Sequence, residues 1–221
     1  MNLDNPFETQ MKIESTYSKP LKIIATLLLL FVLFSQKINA QDQLLDSLTL
    51  DTLTSFTSIK EAMKHPEQVI KLELRKKRLK KFPPEILTFT NLQYLDISKN
   101  DIEELPDEIG HLKNLQYLAV SRNGLQEFPT QIGDLKNLYY LEANNNDLTS
   151  LPTEIGKLDK LRILDLWSND IDQFPSEIRN LKNLLLLDLR VIMIPDAEQN
   201  RVQSLLPHTK IFFSPYCKCE Q

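Results

Sequence analysis

Chemistry requires nucleophiles, acids, bases or metal ligands brought together, and few residues of this sequence are placed to do it. Its two cysteines form the pair Cys217-Lys218-Cys219. Zinc sites usually match such a pair with a second one, and no second pair is in view. In an oxidising compartment the thiols could close a strained disulfide or join a partner. The simpler reading is a tail feature without chemistry. His65, His111 and His208 have no nucleophile or ligand near them in sequence. There is no H-E-x-x-H, no G-x-S-x-G, no phosphate-loop lysine and no dinucleotide fingerprint. The expectation is a protein that is not an enzyme, with no catalytic residue, no cofactor and no metal.

What does recur is a set of side chains suited to recognition. Tyr94, Tyr117 and Tyr140 are evenly spaced, with Lys71 before them and Ile163 and Leu186 after. Two positions on run Glu73, Asp96, Ala119, Glu142, Asp165 and Asp188; two further on run Arg75, Ser98, Ser121, Asn144, Trp167 and Arg190. Tyr and Trp supply contact area at low entropic cost. Tyr94, Tyr117, Tyr140, Trp167, Asp96, Glu142, Asp165, Asp188 and Arg190 are therefore the candidate partner-binding residues, suited to a protein or peptide with basic and apolar groups. The competing reading is that tyrosines stacked on neighbouring strands only support a sheet. The acids lie on a fixed lattice, which the repeat explains without acid–base catalysis.

That lattice has a period of 23 residues. Val69, Leu92, Leu115, Leu138, Leu161 and Leu184 keep it, as do Pro83, Pro106, Pro129, Pro152 and Pro175. So do Asn100, Asn123, Asn146 and Asn169, and Gly110, Gly133 and Gly156. In Leu92-x-x-Leu95-x-Ile97 the apolar residues alternate as in a short strand with one buried face. Asn100 follows where the chain must turn, and its amide can satisfy backbone groups of adjacent turns. Pro106 suits the first position of a helical turn, and Gly110 its end, where positive φ is often wanted. A single repeat buries too little to offset the cost of ordering its backbone, so the repeats must stack cooperatively.

These columns resemble the leucine-rich repeat family, with its L-x-x-L-x-L-x-x-N-x-L signature, and in particular its 23-residue L-P-x-x-I-G-x-L type found in bacterial and Ras-suppressor-like proteins. The resemblance covers residues 69–194 by motif. It implies an α/β solenoid, a right-handed superhelix whose concave parallel sheet has about six repeat strands. The columns named above would then line the concave wall. It also implies a helical N-terminal cap and a helix-plus-strand C-terminal cap. Ras-suppressor-like proteins suggest GTPase binding, but the apolar run at residues 23–34, read as an export signal, argues against a cytosolic GTPase partner unless the protein is delivered into another cell.

For the caps, Ser58-Ile-Lys-Glu61 reads as a capping box opening a short helix that stops before Pro66, with Ile59, Ala62 and Met63 inward, within a cap over residues 55–68. Residues 41–54 read as a linker or arm. Pro195 opens a helix from Asp196 to about Leu206 with Ala197, Val202, Leu205 and Leu206 on one side, and residues 210–213 form a closing strand within a cap over 195–213. Residues 214–221 are a tail. Lys77 and Ile192 replace the ladder asparagine in the first and last coils. The run Arg75-Lys-Lys-Arg78 with Lys80 and Lys81 could bind an anionic surface, but charge at a stack's exposed edge also discourages edge pairing.

The whole chain of 221 residues is 42% apolar and 25% charged with net charge −4, in the ordinary globular range and unlike a generic nucleic-acid binder. Lys12, Lys19 and Lys22 precede an apolar run, residues 23–34, and Ala40 precedes a polar change. The run is short for a bilayer core and matches a secretory signal peptide, cleaved after Ala40. Met11 is an alternative start. The expectation is an exported, monomeric module that binds a protein or peptide and no nucleic acid. It would meet a membrane only if residues 23–34 stay uncut as an anchor. The alternatives are a structural cell-envelope component, or a non-catalytic subunit or effector whose activity resides in a partner.

Overall fold

A computed structural model describes residues 44–214. The expected signal segment and the Cys217–Cys219 pair lie outside the described residues. Seven short parallel strands form one open sheet in chain order: β1 (Lys71–Glu73), β2 (Tyr94–Asp96), β3 (Tyr117–Ala119), β4 (Tyr140–Glu142), β5 (Ile163–Asp165), β6 (Leu186–Leu189) and β7 (Lys210–Phe213). The register follows the sequence lattice: Leu72, Leu95, Leu118, Leu141, Leu164 and Leu187 pair in a row that ends at Ile211. These six leucines are fully buried, while their strand neighbours point to the other face, as period-two geometry requires. Six repeat strands plus one cap strand make the open parallel solenoid that the leucine-rich-repeat resemblance implies.

The return limb of each coil carries a 3-10 turn, such as Asp107–His111, Thr130–Asp134 and Thr153–Lys157. The prolines stand one residue ahead of these turns, in extended backbone (φ −72°, ψ 154° at Pro106), and not at the first helical position. Gly110, Gly133 and Gly156 also serve a different purpose from the one expected, since none has positive φ. A Cβ on Gly133 would sit 2.4 Å from the carbonyl oxygen of Glu154, and one on Gly156 2.3 Å from that of Glu177. Glycine is required there because successive 3-10 turns touch. Left-handed backbone instead recurs at Lys76, Lys99, Arg122, Asn145, Ser168 and Val191, each with φ of 54–58° and just ahead of the ladder position, and also at Arg78 in the first coil.

The ladder itself is present. Asn146 donates from Nδ2 to Val120 O (3.1 Å) and Ala143 O (3.0 Å), and its Oδ1 accepts from Leu125 N (3.2 Å). Asn100, Asn123 and Asn169 repeat the pattern one coil apart. A second ladder runs along the opposite edge: Asn91, Asn114, Asn137 and Asn183 each donate to a carbonyl of the preceding coil. Lys160 fills the gap by donating to Asn137 Oδ1 at 2.7 Å. In the last coil Ile192 is buried in the core, while Val191 keeps the left-handed turn.

At the N-terminal end, α1 (Ser47–Thr52) and α2 (Ile59–Ala62) precede β1, and Phe56 bridges Leu72 in parallel. Asp46 caps α1, accepting from Thr49 N (3.0 Å) and Thr49 Oγ1 (2.7 Å). These bonds hold its carboxyl below the usual range. The expected capping box at Ser58 does not form, because its side chain makes no cap bond. Met63 is solvent-exposed, not inward, since α2 ends at Ala62 and only Ala62 of that helix is buried. At the far end α3 (Asp196–Leu205) packs through Val202 and Leu206, while Ala197 faces solvent in its first turn. Glu198 accepts from Phe174 N (2.9 Å) and pairs with Arg201, tying α3 to the last coil.

Candidate functional site

The strand residues flanking the buried leucines make three side-by-side columns on the concave wall. In the first, the rings of Tyr94 and Tyr117 stack 4.1 Å apart and 2° from parallel, and Tyr117 and Tyr140 stack at 4.6 Å and 14°. Parallel strands in register place identical residues about 4.8 Å apart, which brings the rings into stacking contact. Lys71 Nζ closes the stack, 4.5 Å from the Tyr94 centroid. Burial pushes the Tyr94 and Tyr140 hydroxyls up to about 12 and raises Tyr117 likewise, with help from the neighbouring Tyr94 and Glu142. Beyond Tyr140 the column becomes aliphatic, at Ile163 and Leu186.

The acids of the second column are engaged within the wall. Asp96 accepts from Ser98 N (2.9 Å) and Ser98 Oγ (2.6 Å), and Arg75 lies 3.2 Å away. Ala119 leaves a gap through which Glu142 reaches, accepting from Tyr117 Oη (3.1 Å) and Ser121 Oγ (2.9 Å). Asp165 accepts from Asn144 Nδ2 (2.7 Å) and Trp167 N (3.1 Å). Asp188 holds Arg190 through Nε (2.9 Å) and Nη2 (2.6 Å). Burial raises the carboxyls of Asp96 and Asp165 above the usual range, opposed by these hydrogen bonds. Charge is thus largely matched inside the wall.

Trp167 lies in the third column, half-buried, and nothing among the described residues accepts from its indole N–H. All nine expected site residues fall on this one wall. The basic run sits at the first coil, where Arg75 pairs with Asp96 and Lys76 and Arg78 occupy left-handed turns. The nearby cations Lys76, Arg122 and Arg75 lower the Lys99 ammonium pKa, so positive charge gathers along that edge.

A further column escaped the sequence reading. Gln93, Gln116, Tyr139, Arg162 and Leu185 stand one residue ahead of the tyrosine column, at the leading edge of the sheet. Residues 44–46 and α1 lie against it. Leu45 N donates to Gln93 Oε1 (2.8 Å), and Gln116 Nε2 donates to Leu45 O (2.9 Å). Lys71 Nζ donates to the carbonyls of Leu50 (3.3 Å) and Asp51 (2.9 Å) at the end of α1, where a cation is favoured. Between this arm and β4–β6 opens a cleft of about 690 Å³. The matched pair Gln93 and Gln116 was the available signal, since two amides in register need a shared partner.

Among the described residues no group of three or more His, Cys, Asp or Glu side chains is placed to hold a metal ion, and no helix is long and apolar enough to cross a membrane. A family model described as a leucine-rich repeat region matches residues 68–148 and 130–206. No curated protein matches the chain. Among solved structures, a leucine-rich-repeat protein of Leptospira interrogans is 37% identical over 67% of this chain and 45% of its own, with TM-score 0.52. Internalin C2 of Listeria monocytogenes is 25% identical over 66% and 62% of the two chains, with TM-score 0.56. A plant peptide hormone receptor, RGFR1 in complex with RGF2, is 32% identical over 60% and 22%, with TM-score 0.52. This chain therefore spans less than two thirds of the length of each of these structures.

Proposed function

Because the chain belongs to the leucine-rich repeat family, we propose that it is an exported, non-catalytic module that takes a protein or peptide along its concave wall. Domains of this family commonly serve as protein-interaction modules, which favours docking over chemistry. The observation that carries the reading is Trp167: a large aromatic side chain held half-open in the wall, beside Arg190. Exposed aromatics of this kind dominate the energetics of interfaces. The peptide hormone bound to the related plant receptor supports a peptide as one class of ligand. Export rests on the apolar run and on the small residue at Ala40.

A structural role in a cell envelope is the second reading, favoured by the Tyr94–Tyr117–Tyr140 stack, which stabilises the sheet whether or not anything docks. Affinity measurements separate the two. Trp167→Ala and Tyr117→Ala each weaken binding to a purified partner about tenfold or more if the wall docks it. Unchanged affinity in both variants removes the docking reading.

A further inference from the structure

We propose that the cleft between the arm at residues 44–46 and strands β4–β6 takes an extended peptide segment in which a carboxylate neighbours a bulky apolar side chain, with Arg162 as the carboxylate's partner. This rests on the wall being a protein-binding surface and names the chemistry of what binds there.

Most cations of the wall and its leading edge are already engaged. Arg75 is paired with Asp96 and Arg190 with Asp188. Lys71 closes the end of α1, and Lys160 donates to Asn137. Arg162 lines the cleft, is exposed, and has no ion pair or side-chain hydrogen bond among the described residues. Its planar fork matches a carboxylate through two parallel bonds.

Apolar surface adjoins it. Leu185, one strand on in the same column, is 60% exposed, and Ile163 and Leu186 line the cleft beside it, with Leu44 and Leu45 opposite. One strand spacing, about 4.8 Å, separates the positions of Arg162 and Leu185. A single residue or two neighbouring ones can therefore satisfy both. Asp46 and Lys160 also line the cleft, but Asp46 is held by Thr49 and Lys160 by Asn137, which leaves Arg162 as the cation open to a ligand carboxylate. The cleft thus selects one composition.

Random-sequence peptides displayed on phage, panned against the full chain, provide the probe, with Arg162→Gln, Leu185→Asp and Trp167→Ala as comparisons. Both cleft residues are exposed, and circular dichroism and melting curves check that each variant folds. The proposal expects enriched peptides with Asp or Glu next to Leu, Ile or an aromatic residue, losing about tenfold or more in affinity on Arg162→Gln and on Leu185→Asp. Enriched peptides without acidic bias, indifferent to Arg162→Gln but weakened by Trp167→Ala, overturn this inference and leave the wall as a docking surface. Failure to enrich any peptide, or indifference to all three substitutions, overturns both.

Discussion

The carbonyl oxygen of Glu154 lies where a Cβ on Gly133 would be only 2.4 Å away, so two consecutive coils meet backbone to backbone on the outer limb. The contact sets how closely the coils stack on that side. A methyl group there forces them apart. Gly133→Ala should lower stability by about 1–3 kcal/mol, the usual cost of overpacking. Gly124→Ala should be neutral or gain up to about 1 kcal/mol by restricting the unfolded chain, because the nearest atom to its Cβ would be 3.7 Å away. Chemical denaturation of both variants checks the contrast.

The asparagine ladder makes a separate prediction. Asn146 is buried and bonds three backbone groups drawn from two coils. Asn146→Ala leaves those groups unpaired and should cost about 1–3 kcal/mol. An unchanged melting temperature would show that the ladder does not hold the coils together.

Val191 tests the left-handed column from the other side. A β-branched residue at φ 58° is strained, and its side chain is 60% exposed, so replacing it sacrifices little packing. Val191→Asn should stabilise the protein by about 1 kcal/mol, the order of the left-handed penalty for an L-residue. A loss of stability in denaturant titration would mean that the Val191 side chain is needed by the C-terminal cap.

Much of this was legible in the sequence because the repeat reports itself in each copy. The strand leucines, the ladder asparagines and all nine wall residues fall where a period of 23 places them. The readings that failed concern relations between copies, which one repeat viewed alone does not contain. A glycine's sequence neighbours point to a turn because a turn is local, whereas the contact between Gly133 and Glu154 spans two coils. The arm was illegible for a related reason: Asp46 and Leu50 lie in a segment without periodicity, and its partners Lys71, Gln93 and Gln116 are remote in sequence. Met63 and Ala197 lie at helix ends, where an apolar stripe extrapolated along the helix outruns its buried face.

Alkaline pH probes the tyrosine stack. Folding raises the hydroxyls of Tyr94 and Tyr140 from the ordinary 10 to about 12. A raised folded-state pKa means that the stabilisation is fully present below pH 10 and is lost as pH climbs toward 12. The melting temperature should fall across that window, and tyrosinate absorbance from the stack should emerge only with unfolding. Replacing all three stack tyrosines with Phe should flatten the stability profile. A profile as steep as that of the unaltered protein would assign the alkaline loss to other groups.

The most direct test of a docking wall is site-specific photo-crosslinking with a benzophenone amino acid placed at Trp167, and separately at His111 on the outer 3-10 turn, in cells that make the protein. The account predicts a saturable adduct with one protein or peptide from position 167 and none from position 111. Adducts from the outer limb alone, or identical adducts from both positions, would contradict it.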